Sequence, residues 1–222
     1  MQLLIIRPEP GASATAARVR ALGHDAIVQP LLASESVAWE RPASLPDAVL
    51  ITSAAAVRHA GPQADALKHL PALCVGEATA AAARAAGWRQ AQAPVQSGPG
   101  TFQALLDAAA SGPHRQLFHI AGEDRTPASV PPGLIITTAI AYRAALRPLP
   151  ALPVVEAVLL HSPRTARHFA AEWERLGGQR AAVSLYAISA ATLAAAGPGW
   201  AAAHAAPAPT EAALLAMLPE SL

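Results

Sequence analysis

The chain has 222 residues, with 16 Lys+Arg against 15 Asp+Glu, a formal net charge of +1, and only 4% aromatic residues. With no Lys/Arg run and few rings for stacking, nucleic acid is a poor candidate for its main ligand. The hydrophobic fraction is 53%, but much of it is Ala, and no window reaches the roughly 18 strongly apolar residues of a membrane span. A cytoplasmic, soluble chain of two small domains is therefore expected. The N-terminal LLIIRP lacks a preceding basic region and is too short for a signal peptide. The single Cys74 excludes an internal disulfide or a multi-cysteine metal site, and its apolar setting ALCVG predicts a buried, inert thiol. Lys68 is the only Lys, so the positive charge is nearly all Arg, which suits bidentate recognition of carboxylate or phosphate.

Residues 3–6 (LLII) predict a strand, closed by Arg7-Pro8. A helix follows from Ser13 to Leu22 with Gly23 as its stop, then a strand over 26–32 in which Pro30 marks an edge position or a strand end. This is a β-α-β unit, which implies parallel strands. Residues 33–47, with Pro42 and Pro46, read as a linker. VLITS (49–53) and LCVGEATAAAARAAGW (73–88) each predict strand, turn and helix. A short strand is expected at 90–94, a Gly/Pro/Ser loop at 96–100, and a helix FQALLDAA opened by Thr101. LFHIAGED (117–124) is an apolar run followed by a loop, with Glu123 and Asp124 placed in a first helical turn like Glu77. Residues 115–143 supply a second β-α-β-like half, and the β-prone stretch 134–146 is longer than one strand needs. Pro148, Pro150 and Pro153 then punctuate the chain. In the helix predicted over 163–176, Ala166, Phe169, Trp173 and Leu176 form one buried face.

The chain states one stretch twice. VLITSAAAVRHA (49–60) and VLLHSPRTARHF (158–169) share Val, Leu, Ser, Arg and His at an offset of 109. VGEAT (75–79) then aligns with ISAAT (188–192), Gly87-Trp88 with Gly199-Trp200, and Leu105-Leu106 with Leu214-Leu215. None of these matches rests on Ala alone. Apolar strand runs alternating with helices argue for two α/β domains with parallel sheets.

There is no GxGxxG, GxxxxGK[ST], GxSxG or HExxH, and the His residues lack metal-ligand spacing. What remains is a set of hydroxyls and Arg residues at strand C-terminal ends: Arg7, Ser53, Thr79, Ser162, Arg164, Ser189 and Thr192, with Gly76 among them. That edge of an open parallel sheet lines the ligand crevice, and helix N-termini there offer backbone N–H groups. A ligand rich in carboxylates or phosphates fits such donors. Two readings stand for each residue. A Ser before a helix is also an ordinary N-cap worth about 1 kcal/mol. Arg164 is either an anion contact or a solvated side chain, His161 a structural histidine, and Tyr142 a proton donor or an ordinary sheet aromatic.

Arg7-Pro8, LITS, VGEAT, AYR (141–143), LLHSPRTARHF, AISAAT and PTEAALLAML, in this order, resemble the uroporphyrinogen-III synthase family along nearly the whole chain. The resemblance implies an α/β fold of two flavodoxin-like three-layer domains with parallel sheets, joined by a two-stranded linker. The first domain would be discontinuous, 1–33 plus 147–222, the second 37–140, with linkers at 34–36 and 141–146. It also implies a cofactor-free, metal-free lyase that cyclises the linear tetrapyrrole hydroxymethylbilane to uroporphyrinogen III, inverting ring D and losing water. Tyr142 takes the place of the family's linker-region Tyr as general acid. Ser162 and Thr192 match family positions that face the substrate. The implied protein is a monomer without nucleic-acid or membrane partners, in transient contact with hydroxymethylbilane synthase. One departure stands out: Ala54-Ala55 replace the Pro-Arg that family members often carry, and Arg58 or Arg125 are the available substitutes. On the first copy's losses, Ser162 and Arg164 are expected to contact substrate, with Ser53 acting mainly as a cap. The alternative, from another class, is a non-catalytic two-domain binding module for a small polyanionic metabolite.

Overall fold

Both copies of the repeated stretch fold into the same unit. In the computed structural model, which describes residues 1–93, 102–125 and 127–220, β4 (Ala48–Ile51) leads to α2 (Ala54–His59), and β9 (Ala157–Leu160) leads to α5 (Pro163–Arg175). Their caps are nearly superposable in conformation: Ser53 has φ −156°, ψ 152°, and Ser162 has φ −157°, ψ 151°. The correspondence continues through β5 (Ala72–Cys74) and α3 (Glu77–Ala85), matched by β10 (Ser184–Ala187) and α6 (Ala190–Ala196). Gly87 and Gly199 hold φ of 94° and 95°, a conformation that strongly favours glycine, and each turns the chain into a buried Trp. β6 (Ala91–Gln92) with α4 (Phe102–Ala110) and β11 (Ala203–Ala205) with α7 (Glu211–Leu215) complete the two series. The 96–100 loop and the opening of α4 at Thr101 lie outside the described residues.

The chain divides into two compact units, residues 1–33 with 145–222, and residues 34–144. In the first, β1 (Gln2–Ile5), α1 (Gly11–Ala21) and β2 (Asp25–Val28) join the second copy in a sheet of order β11-β10-β9-β1-β2, parallel throughout. In the second, β7 (Gln116–Gly122) and β8 (Ile135–Leu146) join the first copy, with β3 (Leu32–Ser36) on the outer side of β8, in the order β3-β8-β7-β4-β5-β6. The central strands β4 and β9 are buried at all four positions, as parallel strands covered on both faces require.

Three expectations need correction. The strand expected over 26–32 stops at Val28, because Pro30 has no N–H for the ladder, and β2 is an edge strand. Residues 33–47 are not all linker. β7 covers only part of the twelve-residue β8, and Leu32–Ser36 take the open side of β8 as β3. Residues 115–143 form no β-α-β unit: β7 and β8 are parallel, but among the described residues 123–134 contain no helix. Pro127, Pro131 and Pro132 there remove donors that a helix needs. Glu123 and Asp124 accordingly sit in a bend, whereas Glu77 does occupy the first turn of α3.

The cores follow the predicted faces. On α5, Ala166, Phe169 and Trp173 are buried, with Leu176 packed alongside as the helix C-cap before Gly177. Phe169 stacks on Trp200 at 5.5 Å and meets Trp173 at 5.4 Å, so one ring ties α5 to the turn after α6. Cys74 is buried, and burial pushes its thiol up to about 11, which bears out an inert cysteine. Replacing Phe169 by Ala should cost about 3–5 kcal/mol, read as a lower urea midpoint at unchanged slope. An effect below about 1 kcal/mol would show that the aromatic trio is not the core of its unit.

Candidate functional site

In a parallel sheet every crossover returns to the same side, so the loops leaving the C-terminal strand ends gather at one edge. Each unit has such an edge, and the two are used differently.

In the unit of residues 1–33 and 145–222, the edge is filled by the chain's own groups. Arg7, after β1, donates from Nη1 to Glu211 Oε2 at 2.8 Å and to the Thr15 hydroxyl at 3.3 Å. Thr15 donates to the other Glu211 oxygen, His161 Nε2 lies 3.1 Å from Oε2, and Arg18 stands at 3.8 Å. Burial works to raise the Glu211 carboxyl, but the Thr15 hydroxyl, His161 and Arg7 outweigh it and hold it below the usual carboxylate range. Burial, helped by Arg7, lowers His161, opposed by Glu211, so the imidazole is neutral near pH 7. His161 is thus a half-buried histidine bonded through Nε2 to Glu211, in keeping with the structural role that its setting after an apolar strand suggests. Ser162 caps α5 by accepting from Thr165 N and also lies 2.8 Å from the Thr165 hydroxyl. Ser189 does the same for α6 with Thr192 N and the Thr192 hydroxyl at 3.0 Å. Thr192 is buried and Arg164 exposed, the latter in the first turn of α5.

In the unit of residues 34–144, the edge is open. A pocket of about 440 Å³ is lined by Thr52, Ser53, Phe102, His119, Arg125 and Tyr142, among others. Ser53 Oγ accepts from Ala56 N at 3.0 Å, as a cap should, and also lies 2.9 Å from the Tyr142 hydroxyl. The comparison with HSPRTA expects Ser53 to act mainly as a cap, and here its hydroxyl meets Tyr142 as well. Gly122, on β7, lets the phenol approach: a Cβ there would stand 2.6 Å from Tyr142 Cζ. His119 Nε2 lies 3.2 Å from the Thr52 hydroxyl, and its ring packs on Phe102 at 4.5 Å. Burial, reinforced by Arg125, pushes His119 down to about 4, so it is an uncharged hydrogen-bonding group at neutral pH. Gly76 is the N-cap of α3 and Thr79 is buried in its first turn, and a Cβ at Gly76 would meet nothing within 4 Å. Of the two proposed stand-ins for the missing Arg, Arg125 lines the pocket and Arg58 lies exposed on α2.

A family model described as Uroporphyrinogen-III synthase HemD matches residues 13–216. The chain belongs to the uroporphyrinogen-III synthase family. Among solved structures, it is similar to uroporphyrinogen-III synthetase from Helicobacter pylori 26695, at 14% identity over 98% of both chains and a TM-score of 0.57. A uroporphyrinogen III synthase from Thermus thermophilus matches at 18% identity over 97% of this chain and 96% of that one, with a TM-score of 0.48. At these identities the Helicobacter pylori likeness speaks for the α/β fold. No curated protein sequence matches significantly.

Four residues that the geometry brings forward were not singled out by sequence: His59, His119, Gly122 and Glu211. Glu211 is visible as the acidic N1 residue of PTEAAL, but nothing local pairs it with Arg7, 204 positions earlier. Among the described residues no group of three or more His, Cys, Asp or Glu is placed to hold a metal ion.

The His119 pocket gives a pH dependence. A histidine whose folded pKa lies below the unfolded value of about 6.5 favours the unfolded state once protonation begins. Stability should therefore fall as pH drops from about 6.5 to about 4, by up to about 3 kcal/mol from this group, and level off below. His119→Gln should flatten that part of the slope in denaturant titrations, leaving the contributions of His59 and His161. An identical slope in the variant would mean that His119 is not held neutral.

Proposed function

We propose that the chain cyclises hydroxymethylbilane to uroporphyrinogen III, with inversion of ring D, as membership of its family implies. The reaction removes one water and changes no oxidation state, so it needs no redox cofactor, and the proposal includes none and no metal. A proton reaches the substrate's hydroxyl and the C–O bond breaks with loss of water. Inverting ring D then takes two new C–C bonds, one at each α-carbon of that ring, for one C–C bond broken at its old bridge, and the ring closes as a pyrrole carbon surrenders its proton. The protein's share is to donate that first proton and to hold the linear chain so that inverted closure outruns simple closure.

Tyr142 is the proposed donor, and the observation that carries it is its hydroxyl at 2.9 Å from Ser53 on the wall of an open pocket. Because Ser53 Oγ already accepts from Ala56 N, its own proton is free to point at Tyr142 Oη. Tyr142 then directs its O–H into the pocket, and Ser53 stabilises the oxygen as the proton leaves. The remaining candidates, Arg7, Gly76, Thr79, Ser162, Arg164, Ser189 and Thr192, are proposed to contact the substrate's carboxylates through hydroxyls, cations and backbone N–H groups. For Arg7 this requires exchange of its Glu211 partner. Arg125 is the proposed substitute for the cation lost at Ala54-Ala55. We further infer two flavodoxin-like domains joined by a two-stranded linker through 34–36 and 141–146. The order β2-β1-β9-β10-β11 favours it, being the 2-1-3-4-5 order of that class. A cytoplasmic monomer, in transient contact with hydroxymethylbilane synthase, completes the proposal.

Incubation with freshly generated hydroxymethylbilane, followed by oxidation and chromatography, tests it: the type III porphyrin should dominate. Only type I, at the spontaneous rate, would leave the binding-module reading. Tyr142→Phe should lower kcat about a hundredfold or more, and Ser53→Ala by about tenfold. Unchanged turnover in Tyr142→Phe would remove the acid role.

A further inference from the structure

The helix that Ser53 caps ends at His59, and both the cap and that last residue touch Tyr142. Six residues rise about 9 Å, enough to reach from the phenol's hydroxyl to the face of its ring. At the far end, the His59 ring stacks on Tyr142 with centroids 5.6 Å apart and planes inclined by 24°. The imidazole is itself held from behind. Its Nε2 lies 2.7 Å from Ser34 Oγ and its Nδ1 2.9 Å from Ser36 Oγ. Ser34 and Ser36 alternate along β3, so they share one face of that strand. β3 pairs with β8, the strand that carries Tyr142, and the register there is fixed by Val37 N donating to Ala141 O at 2.8 Å.

We propose that His59 is the positioning residue for Tyr142: clamped by Ser34 and Ser36, its ring sets the plane of the phenol so that the hydroxyl stays on Ser53 and faces the pocket. The inference rests on the reading of Tyr142 as proton donor. The arrangement suits positioning better than proton transfer. A neutral imidazole has one N–H and one lone pair, and a serine hydroxyl can serve either. Both tautomers, and the imidazolium as well, are therefore satisfied without moving the ring. Gly122 bounds the hydroxyl end of the ring, since a Cβ there would collide with the phenol. The ring is thus bounded by His59 on its face and Gly122 at its tip, and its hydroxyl is tied to Ser53. A proton donor needs this confinement, because a displacement of about 1 Å can cost on the order of a hundredfold in rate.

The chain has two tyrosines, and Tyr186 lies on β10 in the other unit, so Tyr186→Phe leaves Tyr142 as the sole tyrosine signal. In that background, with ring-labelled tyrosine, the Cζ resonance reports the bond of the phenol hydroxyl. His59→Ala should move it in the same sense as Ser53→Ala, and lower kcat by roughly 10–100-fold with little change in KM. Added imidazole should restore part of kcat by refilling the gap. His59→Phe keeps the ring volume but loses both serine bonds, and should fall between the two. It also carries the test if the Ala variant does not fold. An unmoved Cζ resonance with unchanged kcat in the folded variants would overturn the proposal. If Tyr142→Phe itself turns over normally, the acid reading fails, while the Cζ shift still decides whether His59 fixes the phenol.

Discussion

Parallel pairing is the constraint from which the rest follows. A strand that must lie beside its predecessor in the same direction has to be carried back by a crossover, and every crossover starts at the same edge. The capped helix N-termini, their free N–H groups and the residues after each strand are therefore collected whether or not they act on a ligand. This is why Ser53, Ser162 and Ser189 share one extended backbone conformation and one cap bond, although they lie in two different units. What distinguishes an active edge is what the neighbouring strands bring to it.

The two edges show how differently one scaffold can be furnished. Beside β9, β1 brings Arg7, and the chain answers with Glu211, which gathers Arg7, Thr15 and His161 on one carboxylate. This stabilises the junction of α7 with the sheet and leaves Arg7 engaged. Beside β4, β7 and β8 bring Gly122 and Tyr142, and the loop between them brings Arg125. Here the phenol hydroxyl meets a serine rather than a carboxylate. The open pocket goes with a β7–β8 connection that has no helix among its described residues, where three prolines stand in place of an α1 equivalent.

Much of this was legible in the sequence because it depends on local pattern. Buried strands appear as uninterrupted apolar runs, caps as Ser before a helix, and the duplication as matched glycines and tryptophans whose conformations agree in both copies. Ser53 could be named a candidate from its place after an apolar run, and Tyr142 from its place in AIAYR between the two halves. Their contact could not, because it joins residues 89 positions apart across a sheet whose order the sequence does not state. The same holds for Arg7 with Glu211 and for the burial that lowers His119. β3 escaped notice for a different reason. An edge strand satisfies one side of its backbone only and needs little apolar content, so LASES looks like a linker.

The duplication also clarifies His59. Its counterpart at the offset of 109 is His168, on α5, and that residue too uses Nε2 to hold a passing segment, the carbonyl of Arg147 at 2.7 Å. Ser34 and Arg147 both lie within three residues of the points where the chain passes from one unit to the other. In both copies, then, a histidine in the helix after the first strand bonds a segment near the unit boundary. The copies differ in what lies beneath the imidazole. α5 runs on for seven residues past His168, whereas α2 stops at His59, before Gly61-Pro62. Stopping there leaves the imidazole face uncovered by its own helix, and Tyr142 takes the space. A residue position that anchors the backbone in one copy also packs, in the other, against the ring of Tyr142.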